Sequence, residues 1–374
     1  MKLALVTETF PPEVNGVAMT LHRLAGTFAA RGHGIEVVRP RQNAADGVPK
    51  APYAELLVRG SPFPGYPELK IGWPVYWRLK KHWQARRPDI VHVATEGPLG
   101  LAALQAARSL KIPVSSSFHT NFHSYTKHYG VGFLYQAGLA YFRWFHNRTA
   151  CTFAPSVDII AALAEAGFQN LHLLGRGVDT ELFSPQRRDE ALRAAWGAKP
   201  DTPVAMCVGR LAAEKNLPLV AEAWAELRAA RPDLKLVLVG DGPLRDSLRQ
   251  KYPEAHFAGV RHGEDLARHY ASGDLFLFAS VTETFGNVVT EAMASGLVVA
   301  AYDYAAPRAY VREGTNGYLA NFDDRNAFHA ASRRALENLP EWPKLRAAAR
   351  TTAQGLSWER VVEGFEKVLA TLLK

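Results

Sequence analysis

Two glutamates, Glu283 and Glu291, stand eight positions apart in the stretch SVTETFGNVVTEAMASG, on either side of a glycine and directly after the apolar run LFLFA. On one helix they would lie about 80° apart. The apolar run and the glycine instead put Glu283 in a turn and Glu291 in the second turn of a helix. Carboxylates so placed can accept hydrogen bonds from the hydroxyls of a sugar and of a ribose, while Gly286, Asn287 and Val288 offer helix N-terminal amides to a phosphate. Two other readings of the pair stay open. The glutamates could be ordinary acids favoured near a helix N-terminus, or an acid and nucleophile for glycoside hydrolysis, which needs carboxyls about 5–10 Å apart.

Three further clusters carry chemistry. Arg210 and Lys215 follow the apolar run VAMCV; two cations at the mouth of a sheet can bind a diphosphate and stabilise charge on a leaving phosphate, although a solvated loop has the same composition. Asn15 and Gly16 precede a periodic helical stretch, where a glycine lets backbone approach an anion beside free helix amides. That turn contains neither G-x-G-x-x-G nor the lysine of a P-loop, and a plain tight turn is the alternative. The stretch SSSFHTNFHSYTKHYG brings His119, His123 and His128 without an accompanying cysteine or acid, so a metal site is not expected. His119, nearest the strand end, is placed to touch a substrate hydroxyl.

The elements that must hold these residues are legible from periodicity. Short leucine-rich or β-branched runs alternate with helical stretches throughout, the pattern of parallel sheets flanked by helices. The expected strands are KLALVT, GIEVVR, DIVHVA, PVSSSF, CTFAP and LHLLG, then PVAMCVG, LKLVLVG, HFAGV, DLFLFA and GLVVAAY. A chain of 374 residues exceeds what one core supports, so two α/β domains are expected, 1–185 and 186–356. A last helix over 357–374, with Ser357 as its N-cap, is expected to pack back on the first. Ligands of open parallel sheets bind outside the carboxyl ends of the strands. The tetrapeptide TETF occurs there twice, at Thr7–Phe10 and Thr282–Phe285, so both copies are expected to face ligand.

Composition sets the remaining bounds. At 48% hydrophobic and 21% charged residues the chain can bury cores and is not disordered. Cys151 and Cys207 sit inside apolar runs and read as buried thiols of a reducing compartment. No apolar run approaches the ~20 residues of a membrane span, and the first residues lack the features of a signal peptide; a cytoplasmic protein is expected. The net charge of +8 is concentrated in the first 185 residues, with 19 Lys and Arg against 12 Asp and Glu, while the remainder holds 25 against 24. Its densest part, residues 75–87, sets Val75, Tyr76, Leu79 and Trp83 at helical spacing among Arg78, Lys80, Lys81, Arg86 and Arg87. Such a helix suits an anionic membrane surface or a phosphate-bearing partner, or is the solvated face of a packed helix. No nucleic-acid reading motif accompanies the charge, so nucleic acid is not an expected partner.

Taken in order along the chain, the Asn15-Gly16 turn, the GVD of Gly177–Asp179, the GR-plus-lysine of Arg210 and Lys215 and the E-x7-E of Glu283 and Glu291 resemble the motifs of glycosyltransferase family 4. The resemblance spans nearly the whole chain and implies the GT-B fold of two facing Rossmann-like domains. It implies a nucleotide-diphosphate sugar held mainly by the second domain. Glu291 would hold the ribose hydroxyls, and Glu283 the transferred sugar beside the backbone of Phe285 and Gly286. Arg210 and Lys215 would neutralise the diphosphate in place of a metal ion, Gly16 would approach it from the first domain as the domains close, and His119 would bind the sugar. It further implies retention of anomeric configuration by front-face attack, with the leaving phosphate helping to remove the acceptor proton. PGYPELKIGWP and VATEGPLG are similar to the bacterial branch of lipid-directed mannosyltransferases and sulfoquinovosyltransferases. GDP-mannose as donor, with a UDP-sugar next, and a lipid or lipid-linked acceptor follow from that likeness. Where many relatives carry paired glycines after ASGxPVVA, this chain has Tyr304, Ala305 and Ala306. A nucleotide-sugar epimerase and a non-catalytic sugar-nucleotide binder on the same scaffold are the alternatives.

Overall fold

The computed structural model describes residues 1–13, 15–42, 46, 52–63, 66–119 and 132–373. The chain divides into two units. The first holds Met1–Arg176 together with Trp358–Lys374, and the second holds Gly177–Ser357.

In the first unit, β1 (Lys2–Val6), β2 (Gly34–Pro40), β3 (Ala54–Val58), β6 (Ile90–Val93), β7 (Val114–Ser117), β8 (Cys151–Ala154) and β9 (Leu171–Leu173) form a parallel sheet in the order β3-β2-β1-β6-β7-β8-β9. The central strands are buried on both faces, which is why they read as unbroken apolar runs rather than alternating ones. Helices α1 (Gly16–Ala30), α2 (Tyr76–Ala85), α3 (Pro98–Ser109), α4 (Gly132–His146) and α5 (Val157–Glu165) supply the crossovers. A two-stranded antiparallel ribbon, β4 (Gly60–Phe63) and β5 (Tyr66–Gly72), precedes α2.

The second unit has α6 (Glu190–Ala195) as its first α-helix and holds a parallel sheet in the order β12-β11-β10-β13-β14-β15. Its strands are β10 (Val204–Val208), β11 (Lys235–Val239), β12 (His256–Gly259), β13 (Leu275–Phe278), β14 (Val298–Tyr302) and β15 (Gly317–Ala320). Between them run α7 (Leu217–Ala230), α8 (Arg245–Lys251), α9 (Gly263–Ser272), α10 (Asn287–Ala294) and α11 (Ala305–Tyr310), followed by α12 (Arg325–Glu337) and α13 (Trp342–Gln354). The last helix, α14 (Trp358–Thr371), returns to the first unit and buries Val362, Phe365 and Leu369 completely.

The boundary departs from the expected 185/186. Residues 177–185 belong to the second unit because Val178 and Phe183 are buried in its core, and the Val178 N–H donates to the Leu356 carbonyl at 2.9 Å. Four strands, β3, β4, β5 and β15, lie outside the expected apolar runs. The edge strand β3 is only half-buried along most of its length. β4 contains a proline and pairs with β5 alone. β15 opens on Gly317, where a Cβ would lie 2.7 Å from the Val299 carbonyl oxygen. No helix among the described residues is long and apolar enough to cross a membrane. Both cysteines are free and buried, and burial pushes each thiol up to about 12.

Candidate active site

The strand order of the second sheet reverses between β10 and β13, and at such a switch point the two following loops diverge to leave a crevice. Here they are stitched together. The Val281 N–H donates to the Glu214 carbonyl at 3.2 Å and the Ser280 hydroxyl to the same oxygen at 3.3 Å. This registers the loop after β10 against the loop after β13 and sets Lys215 Nζ 2.5 Å from Glu283 Oε1. Both side chains are largely but not fully buried, at 23% and 13% exposed, so desolvation offsets much of their mutual attraction. The consequence of the pair is geometric: Glu283 is held at a strand end, and the ammonium keeps two N–H groups for another acceptor. Asn216, in the left-handed region at φ 51°, makes the sharp entry from Lys215 into α7.

Arg210 is not drawn into that pair. Its side chain is 68% exposed and its nearest carboxylate is Glu214, at 3.9 Å. It stands on the loop as an exposed cation.

Glu291 lies one helical turn into α10, where burial lifts its carboxyl to about 7, and the Tyr270 hydroxyl donates to its Oε2 at 2.9 Å. Tyr270 is fully buried, so it fixes the carboxyl's position while leaving Oε1 for another donor. The N-terminus of α10 is shaped by Gly286, whose φ of 97° few other residues adopt without strain. Phe285 is buried, and its carbonyl accepts from Ala306 N–H at 2.8 Å. Tyr304, in the segment where paired glycines are absent, donates its hydroxyl to the Glu283 carbonyl at 2.9 Å. The departure thus supports the loop that carries Glu283. Asn287 Oδ1 is buried with no hydrogen-bond partner, and Val288 packs half-buried against the core. The first amides of α10 have no partners within the helix and suit an anion.

In the first unit the order reverses between β1 and β6. Asn15 caps α1: its Oδ1 accepts from Val17 N and Ala18 N at 3.0 and 2.8 Å, and its Nδ2 donates to Thr9 Oγ1 and Glu13 Oε1 at 2.7 and 2.6 Å. The side chain is therefore fully engaged in local structure. A Cβ on Gly16 would meet Arg176 Nη1 at 3.6 Å, an ordinary contact. His119 follows β7, and both its ring nitrogens are buried without a hydrogen bond. Burial and the neighbouring Arg176 hold it well below the usual histidine range, so the ring is neutral. Buried polar atoms are nearly always satisfied by protein, water or ligand. His123 and His128 lie outside the described residues.

Further residues belong to this edge, one of them in the TETF copy already expected to face ligand. Glu8, in the first TETF copy, is raised to about 7 by burial, and accepts from Leu99 N at 3.0 Å at the start of α3. Glu96 pairs with buried His146 at 2.9 Å, and the other nitrogen of His146 meets Ser116 Oγ at 2.9 Å. Their partners lie far apart in the chain, so only the topology reveals them; a polar residue directly after each strand was the available signal. In α2, Leu79 and Trp83 are fully buried. Arg87 donates to the carbonyls of Leu110 and Lys111 at 2.9 and 3.1 Å, a structural role. The exposed face of the helix carries Trp77, Arg78 and Lys81.

The family model Glycosyltransferase Family 4 matches residues 14–182, and Glycosyl transferases group 1 matches residues 202–338. The chain is 36% identical to a GDP-mannose-dependent alpha-mannosyltransferase of Mycolicibacterium smegmatis, over 99% of this chain and 98% of the relative. It is 26% identical to the alpha-monoglucosyldiacylglycerol synthase of Streptococcus pneumoniae, over 81% of this chain and 71% of the relative. Anabaena Alr3699/HepE, solved in complex with UDP, matches with a TM-score of 0.78 at 20% identity, over 99% of this chain and all of that one. The two parallel sheets flanked by helices are those of the GT-B fold, and the chain belongs to glycosyltransferase family 4.

Proposed function

We propose that this glycosyltransferase moves mannose from GDP-mannose to a lipid or lipid-linked saccharide, with retention at the anomeric carbon and without a metal ion. The observation that carries the reading is the Lys215–Glu283 pair at the β10/β13 switch point, followed by the Tyr270-braced Glu291 one turn into α10. Glu291 holds the ribose hydroxyls. The free N–H groups of Lys215, the exposed guanidinium of Arg210 and the first amides of α10 take the diphosphate, and Glu283 positions the hexose. In the first unit, neutral His119 and the open backbone at Gly16 stand at the carboxyl edge of the sheet, where hydroxyls and anions bind. The bond from the anomeric carbon to the phosphate oxygen breaks with its electron pair going to the diphosphate. The acceptor hydroxyl attacks from the same face and its proton passes to the leaving phosphate oxygen. The positive groups stabilise charge as it develops there, the role a divalent ion fills in other transferases. The choice of mannose and of a lipid acceptor draws on the mannosyltransferase and diacylglycerol-directed relatives. The exposed Trp77, Arg78 and Lys81 face of α2 suits an anionic membrane surface.

Incubating the full chain with GDP-mannose labelled in the sugar and a lipid extract, with chelator present, should place label in an organic-soluble product with an α-linked sugar. Glu283→Gln and Lys215→Ala should each lower kcat about 100-fold or more. Label confined to free sugar or nucleotide, or a product with inverted linkage, overturns the reading.

A further inference from the structure

We infer that Tyr304 is a positioning residue of the transfer reaction, one that acts through Glu283 and governs how sharply the donor site tells one hexose from its epimer. The inference rests on the proposed role of Glu283 at the hexose and deepens it, since a carboxylate there does not by itself require a tyrosine at the end of the neighbouring strand.

The loop that carries Glu283 is held from both sides. The chain after β10 holds it through the Glu214 carbonyl and the Lys215 ammonium. The chain after β14 holds it at two further points: the Tyr304 hydroxyl donates to the Glu283 carbonyl at 2.9 Å, and the Ala306 N–H donates to the Phe285 carbonyl at 2.8 Å. These two donors flank Ala305, whose φ of 54° lies in the left-handed region. Glycine adopts that conformation freely, whereas a residue with a Cβ is strained in it. Such strain persists only where the surroundings over-determine it, and it clusters at active sites. Here the surroundings are the two hydrogen bonds and the close burial of Ala305 and Ala306.

The phenol can fix the loop because its own ring is fixed. The Tyr304 ring centroid lies 4.7 Å from that of Phe322, Phe322 lies 5.9 Å from Tyr302, and Tyr302 lies 5.5 Å from Phe328. Tyr302 and Phe328 belong to the core of the second unit, so a chain of aromatic contacts runs from that core to the Glu283 carbonyl. The Asp303 N–H on the Ala320 carbonyl, at 2.7 Å, ties the ends of β14 and β15 together where Tyr304 and Phe322 emerge. A carboxylate that reads a hexose hydroxyl must be held within about 0.5 Å of its productive place. Epimers that differ at one hydroxyl are then told apart by whether the site's polar groups are left unpaired. Paired glycines would supply neither the phenol nor its aromatic support.

Tyr304→Phe removes the hydrogen bond and keeps the ring against Phe322, so the fold should stand. The unmodified chain and this variant should be assayed at full length, with a lipid extract as acceptor, on two epimeric pairs of donors: GDP-mannose with GDP-glucose, and UDP-glucose with UDP-galactose. With the preferred donor kcat should fall about tenfold, and the preference for it over its epimer should fall about fivefold or more. The melting temperature and the Kd of the free nucleotide should stay as they were. A merely structural tyrosine would lower the melting temperature and reduce turnover of both epimers in proportion. Unchanged turnover, or a loss shared equally by the two epimers, overturns the inference. A preference of the unmodified chain for a UDP-sugar speaks against the proposed donor and leaves the epimer comparison to decide Tyr304. Transfer from none of the four overturns the proposed function, and a positioning role in transfer with it.

Discussion

In the proposed site, Glu291 would carry both recognition and pH dependence. Burial raises it to about 7 against an ordinary value of 4.5, and Tyr270 is the one hydrogen bond that draws it back. In the ligand-free protein the group is therefore half protonated near neutrality. A ribose diol donates hydrogen bonds, and a carboxylate accepts them more strongly than the neutral acid does, so binding favours the ionised form. Nucleotide affinity should rise as pH increases through about 7. If only the carboxylate binds, lowering pH from 8 to 6 costs close to tenfold in Kd for GDP, read by calorimetry. Glu291→Gln should bind more weakly at pH 8 and show a flat profile over that interval. A profile unchanged by the substitution would remove Glu291 from the site.

At the scale of elements, the carrying feature is the start of a helix at a strand end, and α1 is the clearest case. Asn15 satisfies two of its first-turn amides and ties the cap to Thr9 and Glu13. Asn15→Ala should cost about 1–2 kcal/mol, measured by urea unfolding. Asn15→Ser should recover part of the loss, because a hydroxyl still accepts from one amide. Equal losses would mean that the cap bonds are not what holds α1. The helix and its turn were legible from Asn15 and Gly16, but their division of labour was not: the asparagine side chain serves the cap and only the glycine leaves backbone open. The central strands were legible because burial on both faces writes an unbroken apolar run, as in VAMCV. β3 was missed for the converse reason, its half-exposed edge position diluting the signal. Glu283 and Lys215 could be placed at strand ends from sequence. Tyr270 bracing Glu291 and His146 holding Glu96 could not, since each contact depends on which strands become neighbours.

The whole molecule is two cores joined by two passages of chain, at Arg176–Gly177 and Ser357–Trp358. Each has its own buried clusters, and the first is completed only by the chain's last helix. Phe365 is fully buried there, with its ring centroid 4.9 Å from that of Phe153 and 6.1 Å from that of Phe28. Arg31 and His33 meet Glu366 at 2.7 and 2.9 Å beside it. Truncating such a ring leaves a cavity and costs about 3–5 kcal/mol. That cost should fall on the first unit alone, since none of these contacts involves residues 177–357. Scanning calorimetry of Phe365→Ala should therefore show one melting transition displaced downward and the other in place. Added GDP should move the complementary transition, raising the second unit's stability by about 2.7 kcal/mol at a hundredfold excess over Kd. The two perturbations would then act on different halves of one thermogram. A single peak that shifts as a whole with either would show that the halves unfold together, and that α14 serves both.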